Sequence, residues 1–170
     1  MDITIIALDP SGNHASENEG SGTTGIAIYR NGKIELKDIK ASDYECIESY
    51  WSAILNFIKF NNPDYEVFEG YRLYNHRGIS AQTQANSTLQ TSQLIGAIRV
   101  LCYQEGIPYH TQYAADVKSR WADHILLYKG YLSESGNRLL FDGESTNTHK
   151  RDALRHLLHF IKYNLKKVEV

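Results

Sequence analysis

Three carboxylates and an imidazole are the side chains best suited to chemistry here: Asp9, Glu69, Asp152 and His149. Asp9 directly follows an almost continuous apolar run, residues 3–8, and Glu69 directly follows residues 65–68. If both runs are strands and lie parallel as neighbours, both carboxylates emerge at one sheet edge. That edge, outside the carboxyl ends of the strands, is where open α/β sheets bind ligands. Two carboxylates pressed together repel, and burial adds to the cost. A divalent cation removes it, and Mg2+ favours one or two carboxylates completed by water and phosphate oxygens. His149 and Asp152 are three residues apart in the first turn of a helix predicted over 148–166, so they share a face. Each residue also has a plain structural reading. Asp152 suits the helix dipole, His149 a helix start, Asp9 a turn before Pro10, and Glu69 the surface before Gly70. The conjunction of all four favours a metal site.

The elements that must position these groups follow from apolar periodicity. Residues 3–8 have the unbroken apolar character of a strand covered on both faces. A polar, Gly-rich stretch, 11–22, predicts a mobile loop. Residues 25–30 and 33–38 predict two strands joined by Asn31-Gly32, a type I′ hairpin signal, the second strand half-exposed. Ser42 and Glu45 have capping-box spacing. The helix after them places Ile47, Tyr50, Trp51, Ile54 and Ile58 on one face and ends at 61–64. A short strand spans 65–68 and a long helix 84–105. Gly106 closes that helix, a fifth strand covers 107–111, and a helix covers 114–128. Residues 129–147 predict a loop. On the last helix, His149, Asp152, His156 and Phe160 form one stripe, and Leu154, Leu157, Leu158, Ile161 and Leu165 an apolar one. Arg151, Arg155, Lys162 and Lys166 form a charged one. The order β-β-β-α-β-α-β-α-α predicts an α/β domain spanning 1–170, with a five-stranded mixed sheet flanked by helices.

Charge and composition narrow the function classes. Residues 1–70 hold 5 Lys/Arg against 12 Asp/Glu, whereas residues 118–170 hold 10 against 6. This is consistent with one region for cations and another for phosphates, or with ordinary surface scatter. The two cysteines, Cys46 and Cys102, fall in separate predicted helices, which argues against a disulfide framework or a cysteine zinc site. No apolar run reaches membrane-spanning length, and the start reads as a strand rather than a signal peptide. A cytoplasmic protein is expected.

Three stretches resemble the RuvC-type resolvases. Ile6-Ala7-Leu8-Asp9-Pro10-Ser11, followed by Gly22-Thr23-Thr24-Gly25-Ile26-Ala27, is similar to their opening. Phe68-Glu69-Gly70-Tyr71-Arg72-Leu73-Tyr74 is similar to their second acidic strand, above all in phage members. Thr148-His149-Lys150-Arg151-Asp152-Ala153-Leu154-Arg155-His156 is similar to their terminal acidic helix. The order is right and nearly the whole chain is spanned. The resemblance implies an RNase H-like fold, a homodimer acting on branched DNA such as Holliday junctions, and phosphodiester hydrolysis with two Mg2+ ions. Asp9, Glu69 and Asp152 would be the acidic ligands, with Asp9 bridging. His149 stands where members carry either a carboxylate or a histidine, as ligand or base, and an imidazole there would weaken Mg2+ binding or favour Mn2+, which tolerates imidazole better. Lys118 would contact the DNA backbone, and Arg151 and Arg155 would bind phosphates beside the acidic stripe. Tyr71, Arg72 and Tyr74 would stack on an unpaired base. If phage-encoded, the protein would act in the host cytoplasm. Ser11, where many members have glycine, and the length of loop 11–22 depart from the family pattern.

Two other readings are open. A noncatalytic branched-DNA-binding module would keep the fold without cleavage. Gly22-Thr23-Thr24-Gly25 before a strand also resembles the phosphate loop of actin-like kinases, which need a second domain that this chain is too short to supply.

Overall fold

The computed structural model describes residues 3–17, 20–71 and 89–165. Strands β1 (Thr4–Asp9), β2 (Thr23–Arg30), β3 (Lys33–Lys40), β4 (Tyr65–Glu69) and β5 (Tyr109–Gln112) form one sheet in the order β3-β2-β1-β4-β5. β1 runs antiparallel to β2 and parallel to β4, and β4 runs parallel to β5. The β2–β3 turn has the predicted geometry, with Asn31 and Gly32 both at positive φ (52° and 80°). The sheet is mixed, five-stranded and flanked by helices, as the periodicity requires.

Strand alternation decides which helices each face meets. Ile6, Leu8, Ile26, Ile28 and Phe68 pack on helices α1 (Ile47–Asn61) and α2 (Gln90–Glu105), against Tyr50, Ile54, Ile58, Leu94, Ile98 and Cys102. Ile5, Ala7, Ala27 and Val67 face the opposite way and pack on Ala153, Leu157 and Phe160 of the final helix, α5 (Thr148–Phe160). Asp9 therefore shares the α5 face with Ile5 and Ala7, and Glu69 shares it with Tyr65 and Val67.

Several local expectations are corrected. Ser42 does not cap α1. Residues Ala41–Asp43 form a 3-10 turn, and the helix starts at Ile47, where the Ser49 hydroxyl donates to the Cys46 carbonyl at 2.8 Å. The helix predicted over 114–128 is broken into α3 (Ala114–Lys118) and α4 (Asp123–Tyr128). The break lets buried Trp121 enter a third cluster with Val117, Leu126, Leu154 and Leu158. Residues 129–147 are not simply a loop. They hold β6 (Ser133–Ser135), β7 (Arg138–Phe141) and β8 (Glu144–Ser145), a small antiparallel sheet. The helix predicted over 84–105 is described from Gln90, and residues 84–88 lie outside the described residues. The α-helix at the end stops at Phe160, where a π turn, Ile161–Leu165, continues it, and Lys166 lies outside the described residues. No helix among the described residues is long and apolar enough to cross a membrane.

The loop after β1, expected to be mobile, is tied down in its described part. Ser11 N–H donates to the Thr24 hydroxyl, Gly12 N–H to that of Thr91 and His14 N–H to Oε1 of Gln90. Trp51 Nε1 and the Tyr50 hydroxyl donate to the Gly12 and Ser11 carbonyls at 2.9 and 2.7 Å. These bonds join the chain leaving Asp9 to α1 and to the start of α2.

Candidate active site

Register brings the first two carboxylates together. The last paired residues of β1 and β4 are Leu8 and Phe68. Asp9 and Glu69 follow one step later, side by side at the carboxyl ends of adjacent parallel strands. The start of α5 closes over them. Its N-cap, Asn147, accepts from Lys150 N–H at 2.8 Å and donates to Asp38 of β3 at 2.7 Å. Gly25, the antiparallel partner of Asp9, lets the helix descend onto β2, since a Cβ there would stand 2.0 Å from the His149 carbonyl oxygen. His149 Nδ1 consequently lies 2.8 Å from Asp9 Oδ2. One turn on, Lys118 Nζ at the end of α3 lies 2.8 Å from Oδ2 of nearly buried Asp152.

Asp9, His149 and Lys118 each feel the charge of the neighbouring acids. Burial pushes the Asp9 carboxyl above its usual range. The hydrogen bond from His149 works against this, and the charges of Glu69 and Asp152 reinforce it. His149 is raised, first by its hydrogen bond to Asp9, despite partial desolvation. Burial alone would lower Lys118. Its hydrogen bond to Asp152 and the charges of Asp152, Glu69 and Asp9 outweigh that and raise it.

The remaining predicted residues are placed unequally. Arg155 was expected on a charged stripe offered to phosphates. Instead it is buried, because its three guanidinium nitrogens are used inside the protein. Nε donates to the Trp121 carbonyl at 2.9 Å, one terminal nitrogen pairs with Asp152 Oδ1 and the other with Asp123. Arg151 is mostly buried, donates to the Thr146 carbonyl at 3.1 Å and lies 3.3 Å from Asp123. Tyr71 is exposed beside Glu69, while Arg72 and Tyr74 lie outside the described residues. Thr24 of the phosphate-loop-like stretch is fully buried, its hydroxyl 2.9 Å from that of Tyr50, so it faces the core.

Two supporting residues were not assigned a role from sequence. His156, 1% exposed, places Nε2 2.9 Å from Glu69 Oε2 and Nδ1 2.9 Å from Oε1 of buried Gln112 on β5. The 3.6-residue wheel already put His156 on the stripe of His149 and Asp152. Nothing in the sequence linked it to Gln112, which is 44 residues away.

Whether this set suits a divalent ion can be judged from its donors. Three carboxylates and an imidazole are hard and borderline ligands of the right kind, and the mutual repulsion at Asp9 is what a cation would relieve. Each carboxylate, however, is turned toward a protein cation or imidazole. Among the described residues, no three or more His, Cys, Asp and Glu side chains are grouped to hold a metal as they stand. The donors fit in kind, and a bound metal would have to take the place of their present partners.

No family model matches the chain. No curated protein matches it in sequence. Its fold is similar to that of Thermus thermophilus RuvC in complex with a Holliday junction substrate, with TM-score 0.65 and 17% identity over 97% of this chain and 96% of that one. It is also similar to a further Thermus thermophilus RuvC structure, with TM-score 0.60 and 14% identity over 97% of each chain. At such identities the likeness speaks to architecture: the chain has the mixed-sheet RNase H-like fold of those RuvC structures.

Proposed function

We propose that the protein is a divalent-metal-dependent endonuclease that hydrolyses phosphodiester bonds in branched DNA, Holliday junctions among them. What supports this reading is the placement of Asp9 and Glu69 at the carboxyl ends of adjacent parallel strands, with His149 2.8 Å from Asp9 and Asp152 on the same final helix. Asp9, Glu69 and Asp152 would hold two Mg2+ ions, with His149 as a further donor that suits Mn2+. Such ions supply a nucleophilic water at neutral pH and charge stabilisation of the leaving oxygen. The chain's own groups do the orienting. His156, itself held by Gln112, holds Glu69, Arg155 holds Asp152, and Asp9 fixes the His149 ring. Lys118 and Tyr71 are the exposed groups beside the acids suited to a phosphate and an unpaired base.

The structures of similar fold include one bound to a Holliday junction, which favours a branched substrate. A homodimer is supported by an uncovered patch of Val100 and Tyr103 on α2 beside Tyr109 on the edge strand β5, where Tyr103 is 85% exposed. Sedimentation equilibrium is expected to give twice the chain mass, and a Tyr103→Glu variant to shift toward monomer. An unshifted wild-type monomer would remove the dimer from the account.

The direct test is cleavage of a labelled four-way junction, a fork and a plain duplex with Mg2+ or Mn2+. Metal-dependent cuts at the branch point are expected, with little cutting of duplex. The present pairing of every site carboxylate favours a second reading, a noncatalytic branched-DNA-binding module. Tight junction binding without cleavage under either metal would establish it.

A further inference from the structure

Asp152 is held by two cations of unlike character. Arg155 takes Oδ1, and its other nitrogens are committed to the Trp121 carbonyl and Asp123. It is buried and anchored at three points. Lys118 takes Oδ2 with one contact at 2.8 Å, and its side chain is 47% exposed against 5% for Asp152. The charges of Glu69 and Asp9 also favour its protonated form. An ammonium on a flexible four-carbon stem is a mobile point charge, whereas a forked guanidinium with three directed partners stays where it is.

We infer that Lys118 is an exchangeable counter-ion of the acidic site: its ammonium and a divalent cation compete for Oδ2 of Asp152, so that metal entry and release of Lys118 are one coupled event. Arg155 keeps Asp152 oriented throughout and is a positioning residue. The exchange accounts for a site in which each carboxylate lies against a cation or imidazole of the chain itself. It also gives the freed ammonium to a nearby phosphate only once metal is present. The inference rests on the metal-dependent reading above, and it adds which protein group the metal displaces.

The test is Mn2+ binding to the full chain without DNA, read from the electron paramagnetic resonance signal of free Mn2+. Wild type is compared with Lys118→Met, Lys118→Gln, Lys118→Arg and Asp9→Asn. Removing a competing cation from a coupled pair of sites is expected to tighten Mn2+ binding roughly tenfold in Lys118→Met and Lys118→Gln. Lys118→Arg should bind no more tightly than wild type, because the charge is retained. Asp9→Asn should weaken binding. Thermal melts of the metal-free proteins verify that the half-exposed position tolerates the changes. If Lys118→Met and Lys118→Gln fold and bind Mn2+ no better than a wild type whose binding depends on Asp9, the exchange is overturned while the metal site stands. If neither wild type nor the Lys118 variants bind Mn2+ saturably, both are overturned.

Discussion

Glu66 and Glu69 stand three residues apart on β4, and the sheet gives them opposite surroundings. Glu69 leaves the strand on the α5 face, partly exposed, against His156 and within the charge field of Asp9. Glu66 points to the other face, fully buried, and among the described residues neither of its carboxyl oxygens has a hydrogen-bond partner. Burial drives its carboxyl well above the usual range, and burial together with Glu66 pushes the nearby Cys102 thiol up to about 12. One face of the strand places an acid where cations and imidazoles meet it, and the other buries an acid in an apolar layer that disfavours its charged form. The difference shows that a buried carboxylate alone does not mark a site. The marker is the company of other acids and of groups that orient them.

That contrast can be sharpened by substitution on each face. On the α5 face, His156→Ala removes the ring that holds Glu69. Loss of such an outer partner typically costs about 10- to 100-fold in metal affinity or activity. The expected result is a matching rise in the Mg2+ concentration needed for half-maximal cleavage, partly recovered in His156→Gln. An unchanged metal requirement would mean that Glu69 needs no support.

On the opposite face, Glu66→Leu replaces an unsatisfied polar group with an apolar one and is expected to stabilise the fold by roughly 1–3 kcal/mol in denaturant titrations. Activity should not change. The pH dependence has a definite sign. Below the ordinary carboxylate range, folded and unfolded chains both hold the Glu66 proton. As pH rises, the unfolded chain ionises first, so stability is lost until pH passes the raised folded value. Wild type should therefore lose stability through this window more steeply than Glu66→Leu. Equal slopes would show that Glu66 has an unseen partner.

The sequence carried the parts of this architecture that depend on local pattern. Apolar runs and Asn31-Gly32 specify the β1–β3 meander, and the stripe from Ile47 to Ile58 specifies α1. Asp9 and Glu69 were legible because each follows directly on a predicted strand, and parallel pairing then places them side by side. Arg155 was misread because a helical wheel knows only its own helix. Its burial comes from Asp123 and the Trp121 carbonyl, brought in by a break in the preceding helix that apolar periodicity does not register. The strands within 129–147 were hidden by short length and polar composition, since β6 is Ser-Glu-Ser. The bonds fixing loop 11–17 run to residues far along the chain, including Thr91 and Gln90. Polar composition gives no sign of such partners.

Carboxylates at the sheet edge are proposed to support metal-dependent cleavage. Asp9→Asn tests it most directly, by removing the charge while keeping the size and the contact with His149. With Mg2+ and a labelled four-way junction, the variant should cleave at least about 10³-fold more slowly than wild type, the scale of losing several kcal/mol of charge stabilisation. Junction binding should be retained. Cleavage by Asp9→Asn at a rate near wild type would contradict the account.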